Sequence, residues 1–127
     1  MPQLSTTSRE RLDTCHFWLR QLFEAVIKDV DFSVICGHRG EEAQNEAYDG
    51  GFSLVRWPDS KHNAEASLAV DVAPYPIDWT DEGRFHYLAG WVMRTAKDLR
   101  VPIRWGGHFK DLADLGHFEL ITIERKG

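Results

Sequence analysis

Between residues 8 and 30 apolar side chains return every three or four positions: Leu12, Cys15, Leu19, Leu22 and Val26, with Phe23 and Ile27 widening the stripe. This period predicts one helix that turns a single face to a core. Ser8 or a threonine before it can cap its start. The period then changes. Phe32-Ser33-Val34-Ile35-Cys36 is short, β-branched and aromatic, and predicts a strand ended by Gly37. Glu41 to Tyr48 has helical composition, and Asp49 to Lys61, with Gly50-Gly51 and Pro58, predicts a loop long enough to carry function. From Ser67 to Ala73, Leu68, Val70 and Val72 alternate with Ala69, Asp71 and Ala73. That alternation predicts a strand whose Asp71 points away from the valines, stopped by Pro74 and Pro76.

Thr80 or Asp81 can cap a further helix running to about Arg100, with Phe85, Leu88, Val92, Ala96 and Leu99 on one stripe and Trp91 beside it. Gly83 and Gly90 weaken it slightly, and Asp78, Asp81 and Glu82 read as turn and cap residues. Ile103-Arg104-Trp105 predicts a short strand, Gly106-Gly107 a turn, and His117 to Ile123 a last strand with His117, Glu119 and Ile121 on one face. Helices and strands do not alternate as βαβ units. The order predicts an α+β fold: a small antiparallel sheet flanked by helices, one domain over residues 1–127.

Composition changes little in this picture but narrows the function. The chain has 127 residues, enough for a core without disulfide or metal staples, and its 43% hydrophobic content excludes disorder. A net charge of −5, with Lys and Arg scattered, argues against a nucleic-acid partner and against a lipid surface. No apolar run approaches the roughly 20 residues of a membrane span, and the N-terminus lacks the basic and apolar regions of a signal peptide. The expectation is a protein that folds in a cytoplasm. Cys15 and Cys36 accordingly read as small buried hydrophobes, with a disulfide between them the less favoured alternative.

Candidate chemistry centres on His62 with Asp71 and on Asp114 with His117. Two histidines and two aspartates are what a three-ligand catalytic metal site with an acid/base carboxylate requires. Of the six histidines, His16 and His86 fall within predicted helices and read as packing or surface residues. Neither HExxH nor CxxC is present, and a histidine chosen on position alone is more often structural. Glu119 shares a face with His117 and reads either as a hydrogen-bond partner of a ligand or as a surface residue. Trp57, Tyr75, Trp79 and Trp105 read as core lids or as the lining of a glycan or peptide groove. No glycosidase carboxylate pair, G-x-S-x-G or Cys/His nucleophile stands out.

Several fragments, taken in order, carry a family resemblance. They are Gly37-His38-Arg39, Gln44, Ser60-Lys61-His62, Ala69-Val70-Asp71, Trp105-Gly106-Gly107, and Asp114-x-x-His117-Phe118-Glu119-Leu120. From about Phe32 to Leu120 the chain resembles the zinc peptidases of the VanY-type D-Ala-D-Ala carboxypeptidase and phage L-alanyl-D-glutamate endopeptidase family. The resemblance implies a Hedgehog/DD-peptidase-like fold with Zn²⁺ held by His62, Asp71 and His117. It implies that Asp114 is the general base and later the acid toward the leaving amine. Arg39 would stabilise the oxyanion or hold a substrate carboxylate, and Ser60, Gln44, Trp105 and His108 would contact substrate. Eight residues separate His62 from Asp71, where the family more often has six, so Glu65 is kept as a fallback ligand. After Trp105-Gly106-Gly107 the family often has Asp, where this chain has His108.

What the resemblance implies for function is hydrolysis of an amide in the stem peptide of bacterial peptidoglycan, with the L-alanyl-D-glutamate bond first. D-Ala-D-Ala carboxypeptidase activity and a non-catalytic metal-binding wall module are the alternatives. It further implies a monomeric phage endolysin without a separate wall-binding module. Such an enzyme collects in the host cytoplasm and reaches the wall after holin-mediated release.

Overall fold

A computed structural model describes residues 2–111 and 113–121. Eight elements follow one another: α1 (Thr6–Leu12), α2 (Phe17–Val26), β1 (Phe32–Cys36), α3 (Glu41–Asp49), β2 (Ala69–Pro74), α4 (Glu82–Leu99), β3 (Ile103–Trp105) and β4 (His117–Leu120). Short 3-10 turns lie at Lys61–Asn63 and Gly106–His108. The strands form one sheet in the order β1-β2-β4-β3, and every neighbouring pair is antiparallel. This is the α+β arrangement expected from the pattern.

The sheet is two-faced because its strands alternate. Val34, Val70, Val72, Phe118 and Leu120 are buried in the main core. There they meet α2 and α4, whose stripes contribute Leu19, Leu22, Phe23, Val26, Leu88 and Val92. Phe23 sits at the centre, edge-on to Phe32 at 5.6 Å and to Phe118 at 5.7 Å. Each such aromatic pair is worth about 0.5–1.5 kcal/mol beyond the area it buries. The opposite face carries Asp71, His117 and Glu119.

The first helical expectation is corrected. Residues 8–30 do not form one helix; the chain breaks after Leu12 and restarts at Phe17. At the break the backbone pairs with a distant segment: His16 N donates to Ser67 O (2.8 Å) and Ser67 N to Thr14 O (3.0 Å). His16 then caps α2, its Nδ1 accepting from Trp18 N at 3.0 Å. A long-range backbone bridge thus replaces helical hydrogen bonds while Leu12, Cys15 and Leu19 all stay buried, so the apolar period survives the break. Ser5, not Ser8, caps α1; Ser8 is buried and its hydroxyl accepts from Val34 N. β2 includes Pro74, paired with Phe32 at the strand's end, where a missing N–H is tolerated. Asp81 does cap α4, and both cysteines are free. Of the last predicted strand, Thr122 and Ile123 lie outside the described residues, and β4 ends at Leu120.

Candidate metal centre

Strand register builds the centre. β2 and β4 pair so that Asp71 lies directly opposite His117, both on the face away from the core. A bulge in β1 between Val34 and Cys36 brings Cys36 opposite Asp71 from the other side. His62 comes from outside the sheet. The turn Lys61–Asn63 is held by a capping box: Ser60 Oγ accepts from His62 N (3.2 Å), and Asn63 Oδ1 accepts from Ser60 N (3.0 Å). Leu68 N donates to Lys61 O and Arg39 N to His62 O, which pins the turn to the sheet. The imidazoles of His62 and His117 end with ring centroids 5.2 Å apart.

Second partners select the ring nitrogen that each histidine offers. His62 Nδ1 lies 2.7 Å from Gly37 O, which can only accept, so Nδ1 carries the proton and Nε2 the lone pair. Among the described residues His62 Nε2 is buried with no hydrogen-bond partner. Asp71 Oδ2 is 3.3 Å away but outside hydrogen-bonding geometry. His117 lies between two carboxylates, Nε2 2.9 Å from Glu119 Oε1 and Nδ1 2.9 Å from Asp71 Oδ1; a metal on the Asp71 side would take the Nδ1 lone pair and leave the Nε2 proton facing Glu119. Glu119 is itself held by Lys61 Nζ at 3.0 Å, and Lys61 also reaches Leu120 O. This carboxylate–imidazole support is the usual way a ligating histidine is oriented.

The donor set suits a metal. Two overlapping groups, Cys36–His62–Asp71 and Asp71–Asp114–His117, each bring their donor atoms within 4.8 Å of one another and share Asp71. A buried imidazole nitrogen left without a partner, one carboxylate and a second oriented imidazole fit the nitrogen and oxygen donors that Zn²⁺ takes, with room for a further ligand. As protein groups alone, Asp71 and the imidazoles compensate one another. Burial acts to raise the Asp71 carboxyl, but His117 and His62 hold it well below the usual carboxylate range. Burial likewise acts to lower both histidines and is outweighed by Asp71, so both are raised. A divalent cation among them would take the place of those protons.

Asp114 reaches the same point from a tight turn. Its backbone N–H donates to Gly106 O (2.9 Å), His117 N donates to Asp114 O (3.2 Å), and Gly116 N donates to its Oδ1 (3.3 Å). The turn has no room for side chains at its glycines. A Cβ on Gly106 would overlap the Asp114 carbonyl oxygen and one on Gly116 the Val72 carbonyl oxygen. The residue faces solvent, yet its carboxyl end looks into the cleft, and its pKa is raised, first by desolvation and then by the Asp71 charge. A raised carboxyl beside a metal-ligand set is what an acid/base group needs. Arg39 completes the floor, with Nη2 3.5 Å from Asp71 Oδ2 and Nη1 donating to Gln44 Oε1 at 2.9 Å.

These groups lie in an open cleft of 510 Å³. Phe52, Leu54 and Val55 form part of its wall, with Trp79 and Phe109 among the other lining residues. Trp79 stacks on Phe85 at 5.7 Å, and Phe109 leans on His117 at 5.5 Å.

Of the expected site residues, His62, Asp71, His117, Asp114, Arg39 and Ser60 all come together in this cleft. The other three do not line it. Gln44 is fully buried beneath Arg39. Trp105 is buried, its Nε1 donating to Leu115 O at 2.8 Å, and His108 stands edge-on to its ring at 5.0 Å. Glu65, the fallback ligand, is almost fully exposed and faces His38 instead. Tyr75 and Trp57 are exposed outside the cleft lining, whereas Trp79 lines it. Sequence reasoning missed Cys36, whose Sγ lies 4.0 Å from His62 Nδ1, and Lys61, the partner of Glu119. The bulge that turns Cys36 toward Asp71 leaves no mark in the alternation, but Lys61 could have been suspected from its place beside His62.

The chain matches the family model of phage L-alanyl-D-glutamate peptidase over residues 1–121. It is similar to the crystal structure of the Serratia marcescens L-Ala D-Glu endopeptidase ChiX, with a TM-score of 0.80 and 30% sequence identity over 94% of this chain and 90% of that one. No curated protein matches it in sequence.

Proposed function

The chain belongs to the phage L-alanyl-D-glutamate peptidase family, and from that premise we propose that it is a zinc-dependent endopeptidase cutting the L-alanyl-D-glutamate bond of peptidoglycan stem peptides. The observation that carries the zinc reading is Asp71, shared by two groups of closely set donors, one with His62 and Cys36 and the other with His117 and Asp114, together with the unpartnered His62 Nε2. The family match and the likeness to ChiX favour the endopeptidase bond over D-Ala-D-Ala.

Zn²⁺, held by His62, Asp71 and His117, would supply Lewis acidity toward a carbonyl oxygen and a water. The remaining work falls to the chain. Asp114, ionised, takes a proton from the attacking water and returns one to the leaving amine of D-glutamate, so that one carboxyl serves both directions. Arg39 offers fixed N–H donors beside the ligand carboxylate, where negative charge develops on the carbonyl oxygen or where the substrate's own carboxylate lies. Removing such a donor costs on the order of 10²–10³ in kcat. Glu119 and Lys61 keep the His117 ring in its ligating tautomer. Phe52, Leu54, Val55, Trp79 and Phe109 give the cleft an apolar wall on which a peptide can pack.

The test is mass spectrometry of purified disaccharide-peptide muropeptides after digestion, with and without a chelator. Disaccharide carrying only L-alanine, together with a free peptide beginning at D-glutamate, is the expected outcome, abolished by chelation and restored by zinc. Release of free D-alanine without those products would replace this reading with carboxypeptidase. Undiminished cleavage in chelator would remove zinc from it.

We also propose a phage endolysin role, with the protein held in the host cytoplasm until a holin-type lesion admits it to the wall. The family's phage origin supports this. Among the described residues no helix is long and apolar enough to cross a membrane. Cells expressing the protein alone should stay intact and lyse on chloroform treatment; lysis without permeabilisation would overturn the dependence on a lesion.

A further inference from the structure

Helix α3 is unlike the others. Of its nine residues the buried one is Gln44, a polar amide with no exposed surface. The helix therefore has no apolar stripe to hold it, and its attachment runs through hydrogen bonds. All four hydrogen-bonding valences of the Gln44 amide are used. Its Oε1 accepts from Arg39 Nη1 (2.9 Å) and from Asn63 Nδ2 (3.2 Å). Its Nε2 donates to Ser53 Oγ (2.9 Å) and to Val55 O (2.7 Å). Asn63 Nδ2 also donates to Arg39 O at 2.8 Å, and the next residue of the helix, Asn45, accepts from Trp57 N at 3.1 Å.

These partners belong to different parts of the cleft. Arg39 lies on its floor, Ser53 and Val55 in its wall, and Asn63 closes the turn that presents His62. With no surface facing the cleft and no valence to spare, Gln44 cannot bind substrate. We propose that Gln44 is a positioning residue: one buried amide holds the Arg39 guanidinium and the Ser53–Val55 wall in a single frame, so that Arg39 works only when that wall is in place. This rests on the reading of Arg39 as the donor for the reacting carbonyl or a substrate carboxylate.

The amide is better suited to this than any neighbour in size. A carboxylate at 44 would keep the acceptors for Arg39 and Asn63 but would face the Val55 carbonyl oxygen with like partial charge. A methionine would keep the volume and lose every partner. The two substitutions therefore separate the two halves of the frame.

The test uses the full-length, zinc-loaded protein and Gln44→Met, Gln44→Glu and Ser53→Ala, each also in an Arg39→Ala background. The first readout is native trypsin cleavage at the Arg56–Trp57 bond, followed by mass spectrometry, because Arg56 is exposed at the end of the tethered wall. The second is zinc content, and the third is kcat and KM separately. Gln44→Met should keep full zinc, speed cleavage after Arg56 about tenfold or more, and lower kcat by about 10–10², the cost of an ångström-scale misplacement. That kcat loss should shrink to under about threefold once Arg39 is alanine. Gln44→Glu should speed trypsin cleavage comparably while losing less kcat, and Ser53→Ala should move both readouts in the direction of Gln44→Met by a smaller factor, which keeps the test open should Gln44→Met not fold. Unchanged cleavage after Arg56 in the Gln44 variants would overturn the proposal whether or not the protein proves to be a peptidase. An equal kcat penalty with and without Arg39 would overturn it as well. A wild-type protein without peptidase activity would instead sink the functional reading, with the trypsin result still deciding whether Gln44 holds the wall.

Discussion

Replacing Glu119 with glutamine tests the support beneath the metal ligand. The carboxylate accepts from His117 Nε2 at 2.9 Å and pairs with Lys61 Nζ at 3.0 Å, on a side chain only 12% exposed. Burial acts to raise its pKa, but His117 and Lys61 lower it from 4.5 to about 2. A group whose folded pKa is depressed contributes stability above its unfolded pKa and loses it as pH falls through the folded value. Lowering the carboxyl from 4.5 to about 2 sets a ceiling of about 3 kcal/mol at pH 7, falling to about 1.4 kcal/mol at pH 3. Glutamine can still accept from His117, but its amide N–H₂ faces the Lys61 ammonium. The assay is urea unfolding of chelator-treated wild-type and Glu119→Gln proteins at pH 7 and pH 3, followed by tryptophan fluorescence. The wild type should be more stable at pH 7, and the gap should narrow by roughly half at pH 3. Separately, zinc affinity of the variant should fall about 10–100-fold. A stability gap that stays constant between the two pH values would refute the assignment of Glu119 as the charged partner of His117 and Lys61.

Asp114→Ala should retain zinc by elemental analysis and lose kcat by about 10²–10⁴, since it removes the proton carrier and none of the ligands. In the metal-free protein the Asp114 carboxyl should titrate above the range of an ordinary aspartate, raised by desolvation and the Asp71 charge, and an NMR pH titration that puts it at or below that range would contradict this. Gly116→Ala would drive a methyl into the Val72 carbonyl oxygen, so thermal unfolding should show a loss of about 1–3 kcal/mol, accompanied by weaker zinc binding as His117 moves. Phe118→Ala, in the fully buried core beneath His117, should cost about 3–5 kcal/mol in chemical denaturation, and a smaller loss than about 1 kcal/mol would mean the aromatic cluster is not the centre of the core.

Much of the centre was legible before any coordinates. The alternation around Val70 and Val72 places Asp71 on the polar face, and the same rule puts Glu119 beside His117. The spacing of Asp114 and His117 matches the turn that carries both. The eight-residue interval between His62 and Asp71 was harder to judge. A capped 3-10 turn, bends at residues 64–66 and the bridge at Ser67 absorb it. That Gln44 and Trp105 are buried and His108 is exposed outside the cleft lining was not legible, because motif position says that a residue is near a site but not on which side of the wall it lies.

Periodicity and residue chemistry, properties of the chain alone, determined which segments are helix or strand, which faces are apolar, and which side chains could hold a metal. Tertiary structure decided what depends on partners far away in sequence. The bridge to Ser67 split the first helix, because backbone groups satisfied by a distant strand no longer need helical ones. The β2–β4 register set Asp71 against His117, Gly37 O and Glu119 chose which nitrogen each histidine presents, and Gln44 joined Arg39 to the cleft wall. Each of these is a directional hydrogen bond between segments far apart in sequence, and local pattern carries no information about such partners.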